Sequence, residues 1–329
     1  MKALVYTGPE ELAYRDEPDP IADRDDVLIR IDAVGICGSD MHAWHGHDPR
    51  RVPPMILGHE LAGEIVAGPG AGSRVTVDPI INCGHCEYCL QGRDNLCANR
   101  RMIGMNRPGG FAQFVTTAAR RTVELPAALD ARTAALAEPA ATVLHAIDLG
   151  TRALRRPLPE CTVLVQGGGA IGMLATLLLQ SYGVRHVAVG ETNTLRRTSA
   201  ARWTNAKVFD PIISIPPANA FDLVVDAVGA KATRVSALAA VKAGGVVVHI
   251  GLLDWASEID MRKLTLAEIT LIGSYTYSML DVRAAVRALA DGAFGDLGWV
   301  EERPLSEGAA AFRDLAEGRA AAAKIVLRP

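Results

Sequence analysis

The stretch VLVQGGGAIG, residues 163–172, carries the clearest signal for the fold of this chain. A short apolar run leads directly into Gly167-x-Gly169-x-x-Gly172, and an apolar segment of helical length begins at Ala170 and Ile171. Glycines at this spacing permit a tight turn, close approach of a pyrophosphate to the backbone, and close packing of the helix on the strand. The motif therefore predicts a dinucleotide phosphate site at a helix N-terminus, with a glycine-rich turn that binds nothing as the alternative.

Strand and helix patterns alternate on both sides of this motif, from about residue 142 to residue 277. We predict a helix over 171–182 and five strands over 163–166, 186–189, 223–228, 245–250 and 269–273. This alternation is typical of a doubly wound parallel sheet. Glu191 lies 19 residues after Gly172, where a carboxylate accepts from the adenosine ribose and repels a 2′-phosphate. NAD is therefore favoured over NADP, although Arg196 and Arg197 lie close enough in sequence to tolerate a phosphate.

The rest of the chain has a different sequence pattern. Short strand-like runs at 27–33, 63–67 and 113–117 are separated by Gly/Pro turns, which predicts a β-rich domain over residues 1–141. The tail carries two amphipathic helical segments, 281–290 and 306–318, and a closing strand at 324–327. We predict a dinucleotide-binding domain over 142–277 and a return of residues 278–329 to the first domain.

Composition excludes several classes of function. A formal net charge of −3 over 329 residues gives no basic surface for nucleic acid. No apolar run reaches the roughly 20 residues that cross a bilayer, and the N-terminus lacks the pattern of a secretory signal. We therefore expect a cytoplasmic enzyme with neither a nucleic-acid nor a membrane partner.

Four of the six cysteines form the lobe at residues 83–97, as Cys83-x2-Cys86-x2-Cys89-x7-Cys97. Four thiolates satisfy the tetrahedral preference of zinc and leave no position open for a substrate. The spacing predicts a structural zinc site, and unrelated buried or disulfide-bonded cysteines are the alternative.

A second set of candidate ligands is spread along the first domain. It comprises Cys37 in GICGSD, His59 and Glu60 in GHE, and Glu138 in EP. One thiolate, one imidazole and one carboxylate would leave a fourth position open, as a catalytic zinc requires. Each residue alone is weak evidence, because a single histidine is more often structural.

These motifs together resemble the medium-chain zinc-dependent alcohol dehydrogenase family, and the polyol (sorbitol-type) branch most of all. The segments that match are GICGSDMH, GHELAGEIV, the cysteine lobe, EPAATVLHA and the glycine motif. The resemblance implies a GroES-like β-rich catalytic domain followed by a Rossmann domain. It also implies that Cys37 and His59 bind a catalytic zinc with a glutamate, for which we favour Glu138 over Glu60.

The resemblance suggests roles for further residues. Asp40 would orient the histidine ligand, and Ser39 followed by His42 would relay the proton to solvent. Thr142 would pack beside the nicotinamide, and Arg196 near the adenine. Asp40 and Ser39 have an alternative interpretation as helix caps.

We therefore predict zinc- and NAD-dependent oxidation of a polyol, sugar alcohol or secondary alcohol, with two zinc ions per chain and a homodimer or homotetramer. In sorbitol-type enzymes an arginine commonly reaches the substrate hydroxyls from the position that Thr276 occupies here, which disfavours sorbitol itself. The alternatives are a carbonyl reductase of a biosynthetic pathway, which shares every site residue, and a non-enzymatic NAD-binding protein.

Overall fold

The glycine motif joins a buried strand to a helix in the computed structural model, which describes residues 1–329. The strands are β1 (Lys2–Gly8), β2 (Glu11–Asp16), β3 (Asp26–Gly35), β4 (Met55–Ile56), β5 (Glu60–Ala67), β6 (Arg74–Val77), β7 (Ile80–Ile81), β8 (Arg101–Met102), β9 (Phe114–Ala118), β10 (Thr122–Glu124), β11 (Thr162–Gln166), β12 (His186–Gly190), β13 (Lys207–Phe209), β14 (Phe221–Asp226), β15 (Val241–His249), β16 (Thr270–Gly273), β17 (Val300–Pro304) and β18 (Lys324–Arg328). The helices are α1 (Gly38–Trp44), α2 (Glu87–Leu90), α3 (Ala131–Ala134), α4 (Ala137–Ala153), α5 (Ala170–Ser181), α6 (Thr194–Trp203), α7 (Lys231–Ala240), α8 (Met261–Leu266), α9 (Met279–Ala290) and α10 (Gly308–Ala316).

The second half of the chain forms a six-stranded sheet in the order β13-β12-β11-β14-β15-β16, with every neighbouring pair parallel. Its central strands are runs of buried valine and leucine, as expected where helices cover both faces. The five predicted strands and the predicted helix are present, and the α/β fold class is confirmed. The sixth strand, β13, was missed because it has only three residues, of which one is an exposed lysine.

A largely antiparallel sheet of seven strands dominates the first half. Its order is β10-β6-β5-β3-β18-β17, and β9 also pairs with β3. β18, near the chain end, pairs antiparallel with β3, with Val326 opposite Gly35. The C-terminal strand therefore returns to the sheet on which the candidate metal ligands lie.

Helix α4 connects the two sheets. Its buried alanines and valine belong to one apolar core that contains Ala33 and Ala62 of the first sheet and Val163 and Val165 of the second. Glu138, in the first turn of α4, is thereby placed between the sheets. The predicted division between residues 141 and 142 lies within this helix, and the exact domain boundaries stay a prediction. No helix combines the length and the apolar character that a bilayer span requires.

Candidate active site and metal centres

The four cysteines of the lobe meet at one point. Their sulfur atoms all lie within 4.8 Å of one another, with Cys86 and Cys89 3.4 Å apart and Cys83 and Cys97 3.6 Å apart. Zinc–sulfur bonds of about 2.3 Å place tetrahedral sulfurs about 3.8 Å apart, so the cluster has the size that zinc requires. Backbone hydrogen bonds from residues 85 and 86 lower the pKa of Cys83 to about 6, which favours the thiolate form. None of the thiols is in a disulfide.

Cys37, His59 and Glu60 are also brought together, with one ligand atom of each within 4.8 Å of the others. Cys37 immediately precedes α1, and His59 and Glu60 lie at the start of β5. Glu60 pairs with Gly35 across β3 and β5, and a Cβ atom at Gly35 would lie 2.1 Å from the Glu60 Oε2 atom. The glycine that opens GICGSD therefore makes room for the carboxylate.

Asp40 connects this set to α1. Its Oδ2 atom accepts a hydrogen bond of 3.1 Å from the Cys37 backbone N–H, and its Oδ1 atom lies 3.5 Å from the His59 Nδ1 atom. The Oδ1 and Nδ1 atoms are both buried and face each other without a hydrogen bond to any group. Burial raises the pKa of Asp40, but His59 and Arg51 lower it below its ordinary value. Asp40 therefore caps α1 and also faces the Nδ1 atom of His59. The sequence suggested both roles, a helix cap and a carboxylate that orients the histidine.

Glu60 has a partner that the sequence analysis missed. The Lys324 Nζ atom lies 2.7 and 2.6 Å from the two carboxylate oxygens, and both side chains are almost fully buried. Lys324 also donates to the Ile36 carbonyl at 2.8 Å. A lysine at the start of an otherwise apolar strand was the available signal, because a buried ammonium group requires a carboxylate.

Glu138, the glutamate favoured from the sequence, is not part of this close set. Its Oε1 atom accepts a hydrogen bond of 2.6 Å from the Tyr277 hydroxyl, a second contact that the sequence did not reveal. Burial and the nearby Glu60 raise the pKa of Glu138 to about 7, against the opposing charge of His59. The structure therefore places Glu60 beside the cysteine and histidine, and Glu138 next to Tyr277; which of the two binds the metal stays a prediction.

The predicted relay residues lie on α1. The Ser39 hydroxyl accepts a hydrogen bond of 3.2 Å from Arg51, which leaves its own proton free to donate. His42 is half-buried, and burial together with His47 and His45 lowers its pKa, so its ring is neutral near pH 7. The Thr142 hydroxyl donates to the Glu138 carbonyl at 3.4 Å, within α4.

The glycine loop has the shape that a dinucleotide requires. Gly167 has a φ of +97°, and a Cβ atom at Gly172 would lie 1.8 Å from the Gly167 carbonyl oxygen. A Cβ atom at Gly169 would meet nothing within 4 Å. The turn and its packing therefore require glycine at the first and third positions. The second glycine leaves open space in front of the first turn of α5, which begins with Ala170 and Ile171.

Glu191 binds the glycine loop itself. Its Oε2 atom accepts from the Gly168 N–H at 2.7 Å, and its Oε1 atom accepts from the Asn193 N–H at 2.7 Å and from Arg196 at 3.2 Å. Burial raises the pKa of Glu191, but Arg196 and these backbone groups lower it below the ordinary value. Arg197 pairs with Asp210 at 3.0 Å.

Comparisons with known proteins agree with this geometry. Residues 23–127 match the model of the alcohol dehydrogenase GroES-like domain, and residues 170–291 match that of the zinc-binding dehydrogenase. The chain is 32 % identical over 312 residues to L-galactonate-5-dehydrogenase of Escherichia coli K12, covering 89 % of this chain and 88 % of that protein. The chain belongs to the medium-chain zinc-dependent alcohol dehydrogenase family. The predicted family is thereby confirmed, and the protein is an oxidoreductase of this family.

Two solved structures extend the likeness over the whole chain. Galactitol-1-phosphate dehydrogenase of Escherichia coli is 25 % identical with a TM-score of 0.89, and 100 % of each chain is covered. A protein of Sinorhizobium meliloti 1021, described as a zinc-binding dehydrogenase and solved with NADP, is 32 % identical with a TM-score of 0.88. That match covers 100 % of this chain and 99 % of the other.

Proposed function

We propose that this dehydrogenase oxidises a polyol, sugar alcohol or secondary alcohol to the ketone, with zinc and NAD as cofactors. The observation that carries the proposal is the close set formed by half-buried Cys37 and buried His59 and Glu60, in the same chain as an open glycine loop at a helix N-terminus. The relatives named for galactonate and for galactitol phosphate support a polyhydroxylated substrate.

The residues of the close set fit a catalytic zinc site. Cys37 and His59 would hold the ion, with either Glu60 or Glu138 as the third protein ligand. Bound zinc supplies Lewis-acid stabilisation of negative charge on an alcohol oxygen. Asp40 would orient the His59 ring. Lys324 balances the charge of Glu60, because both side chains are buried and the carboxylate is not hydrated.

The same chain offers a path for the alcohol proton. Ser39 accepts from Arg51 and can therefore donate its own proton toward the substrate side or receive one there. His42, neutral near pH 7, can take the proton onward to solvent. We propose that Ser39 receives the proton first and that His42 passes it to solvent, and a bound cofactor would supply a ribose hydroxyl between them.

Cofactor choice follows from Glu191. A carboxylate at the end of β12 disfavours a 2′-phosphate, so we propose NAD as the preferred dinucleotide. Arg196 already contacts Glu191, and Arg197 contacts Asp210, so neither cation is free to receive that phosphate. Gly167, Gly169 and Gly172 would form the pyrophosphate loop, with Ala170 and Ile171 in the first turn of α5 and Thr142 beside the nicotinamide.

We also propose a homodimer or homotetramer. β16 is one of the two edge strands of the parallel sheet, and Leu271 in it is exposed. Trp255, 88 % exposed, and the exposed Leu252 and Leu253 precede that edge. Apolar side chains beside an unpaired strand edge favour association with a second copy. The cytoplasmic location stays a prediction of the sequence.

A substrate screen with metal analysis tests the function. Purified protein is assayed with polyols and secondary alcohols and either NAD or NADP, by the absorbance of the reduced cofactor, and its zinc content is measured. We expect about two zinc ions per chain, one for each ligand set. The same assay run with NADH and the ketones distinguishes the carbonyl reductase. Metal-replete protein that binds neither dinucleotide would contradict the proposal.

A further inference from the structure

Arg100 is a half-buried guanidinium between the cysteine lobe and the segment that follows β16. Its Nε atom lies 3.3 Å from the Tyr275 hydroxyl, and its Cζ atom lies 4.8 Å from the centre of that ring. Its Nη1 atom donates to the Cys97 carbonyl at 2.8 Å. No carboxylate oxygen lies within the 4.0 Å of an ion pair, and the Nη2 atom makes no hydrogen bond. Arg100 thus carries an unbalanced positive charge, which the ring of Tyr275 offsets only in part.

Arg50 and Arg51, unlike Arg100, are each paired with a carboxylate. Arg50 binds both oxygens of Asp48, at 2.8 and 2.9 Å, and Arg51 binds the same carboxylate at 3.0 Å. The hydrogen bond with Asp48 is the main cause that raises the pKa of Arg50. Arg50 therefore has a carboxylate partner, whereas Arg100, which contacts Tyr275 directly, has none.

Tyr275 lies two residues along the chain from Tyr277, which contacts Glu138, one of the two candidate carboxylate ligands. Two residues span at most about 7 Å, and Tyr277 donates to Glu138. The Asn95 side chain of the lobe fixes the Tyr275 carbonyl at 2.8 Å. One segment thus connects Arg100 at one end to the candidate metal ligands at the other.

The residues on either side of Tyr275 have hydroxyl groups without partners. The Ser274 Oγ and Thr276 Oγ1 atoms are buried and make no hydrogen bond. Thr276 has a φ of +49°, which is strained for a β-branched residue. Buried polar atoms are nearly always satisfied, and strain is retained mostly where a ligand binds. Both features suggest that a polyhydroxylated ligand completes the segment.

We propose that Arg100 and Tyr275 form a subsite that binds an anionic end of the substrate, a carboxylate or a phosphate monoester, while its carbinol carbon lies at the catalytic set, which is Cys37, His59 and Glu60. The proposal rests on the proposed dehydrogenase function and narrows its substrate to an anionic polyol. Guanidinium groups form charge-assisted hydrogen bonds with carboxylates and phosphates, and the Nη2 atom of Arg100, which makes no hydrogen bond, is available to donate to one.

Matched substrates test the subsite. Sorbitol, gluconate and a sorbitol phosphate are compared in the zinc- and NAD-loaded wild type and in Arg100→Gln. We expect the wild type to prefer an anionic substrate, and the variant to lose about tenfold to a hundredfold in kcat/KM for it, mainly through KM. Activity with sorbitol should change by less than about threefold. Whichever of gluconate and the sorbitol phosphate shows the larger loss of kcat/KM in Arg100→Gln identifies the anion that the subsite binds.

Two further variants separate charge from lobe structure. Arg93→Gln removes an arginine of the same lobe that stacks on Tyr88 at 5.6 Å and should leave all three substrates unaffected. Arg100→Lys keeps the charge and should retain part of the preference for the anion, with two zinc ions still bound per chain. A wild type that prefers sorbitol, or equal losses on sorbitol and gluconate, would overturn the proposal.

Calorimetry separates failure of the subsite from failure of the proposed function. If no substrate is turned over, the NADH complex is titrated with gluconate and with sorbitol. Gluconate binding that Arg100→Gln weakens about tenfold or more supports the subsite, even though the dehydrogenase function has then failed. Equal binding to the wild type and the variant rejects the subsite.

Discussion

The two candidate ligand sets of this chain are built in opposite ways. The cysteine lobe takes all four ligands from residues 83–97, which contain only short helical turns, and three of its four cysteines are partly exposed. The catalytic set takes Cys37 and His59 from separate parts of the chain, and they meet only because β3, α1 and β5 pack together. The first site is specified by spacing, and the second is specified by the fold.

This difference determines what each metal contributes to stability. The lobe has few buried apolar contacts of its own, so a bound zinc would supply much of its folding free energy. The catalytic set is already compensated, because His59 faces Asp40 and Glu60 faces Lys324. We therefore expect loss of the lobe metal to disrupt structure, and loss of the catalytic metal to abolish activity while the fold remains.

Cys37→Ser should give the largest effect on activity. Loss of a thiolate ligand should remove the Lewis acid, which contributes several kcal/mol to the transition state, and kcat/KM should fall at least about a thousandfold. Zinc content should fall from two ions per chain to one, with little change in the thermal midpoint. Activity equal to that of the wild type would reject Cys37 as a ligand.

Cys89→Ser is the matched change in the other set. It should also remove one zinc ion, but its main effect should be faster proteolysis within the lobe and a lower thermal midpoint. A Cys89→Ser protein as stable as the wild type would show that the lobe does not depend on its metal, and the contrast between the two sets would fail.

Lys324→Met tests the compensation within the catalytic set. Removing one partner of a buried ion pair leaves an uncompensated charge and should lower the free energy of unfolding by about 3–5 kcal/mol, measured by urea denaturation. Lys242→Met is the control, because Lys242 pairs with Asp222 at 2.8 Å but is 35 % exposed, and it should cost about 0–1 kcal/mol. Similar losses in the two variants would contradict the role of burial.

The double variant Lys324→Met/Glu60→Gln sharpens the same comparison. The glutamine at position 60 carries no charge and requires no ammonium partner. Part of the stability that Lys324→Met loses should therefore return in the double variant. If zinc binding survives in the double variant, Glu138 is the carboxylate ligand. If the catalytic zinc is lost, Glu60 is that ligand.

The features that could be predicted from the sequence are those that depend on local spacing, as in the cysteine lobe. The cysteine spacing and the glycine motif are local, and each indicated its site without knowledge of the fold. The alternation of strands and helices likewise predicted the parallel sheet, apart from the three-residue strand β13.

The partners of the catalytic residues were not accessible in the same way. Lys324 lies 264 residues from Glu60, and Tyr277 lies 139 residues from Glu138. No periodicity or local spacing relates residues so far apart, and only the return of β18 to β3 and the position of α4 bring them together. For that reason the sequence could favour Glu138 but could not show that Glu60 lies nearer to Cys37 and His59.

Glu191 combines a predictable position with unpredictable contacts. Its distance from the glycine motif could be predicted from the sequence, but its contacts with the glycine loop and Arg196 could not. If Glu191 disfavours a 2′-phosphate as we propose, Glu191→Ser should shift the ratio of kcat/KM for NADP over NAD by about tenfold toward NADP. Arg196, freed from its partner, should contribute to this shift. An unchanged ratio would mean that Glu191 acts only as the anchor of the glycine loop.

The pH dependence of stability tests that anchor alone, and its effect should be the smallest. The folded-state pKa of Glu191 lies below its ordinary value of 4.5. Its stabilisation is therefore complete above that pH and is lost as the pH falls through the folded-state pKa. Glu191→Gln should lower the free energy of unfolding by about 1 kcal/mol at pH 7, since the amide oxygen can still accept one backbone hydrogen bond. The difference from the wild type should shrink as the pH falls below 4.5, as followed by urea denaturation at each pH. A difference that stays constant with pH would mean that the charge of Glu191 does not hold the loop, and its contacts with residues 168 and 193 would then act by shape alone.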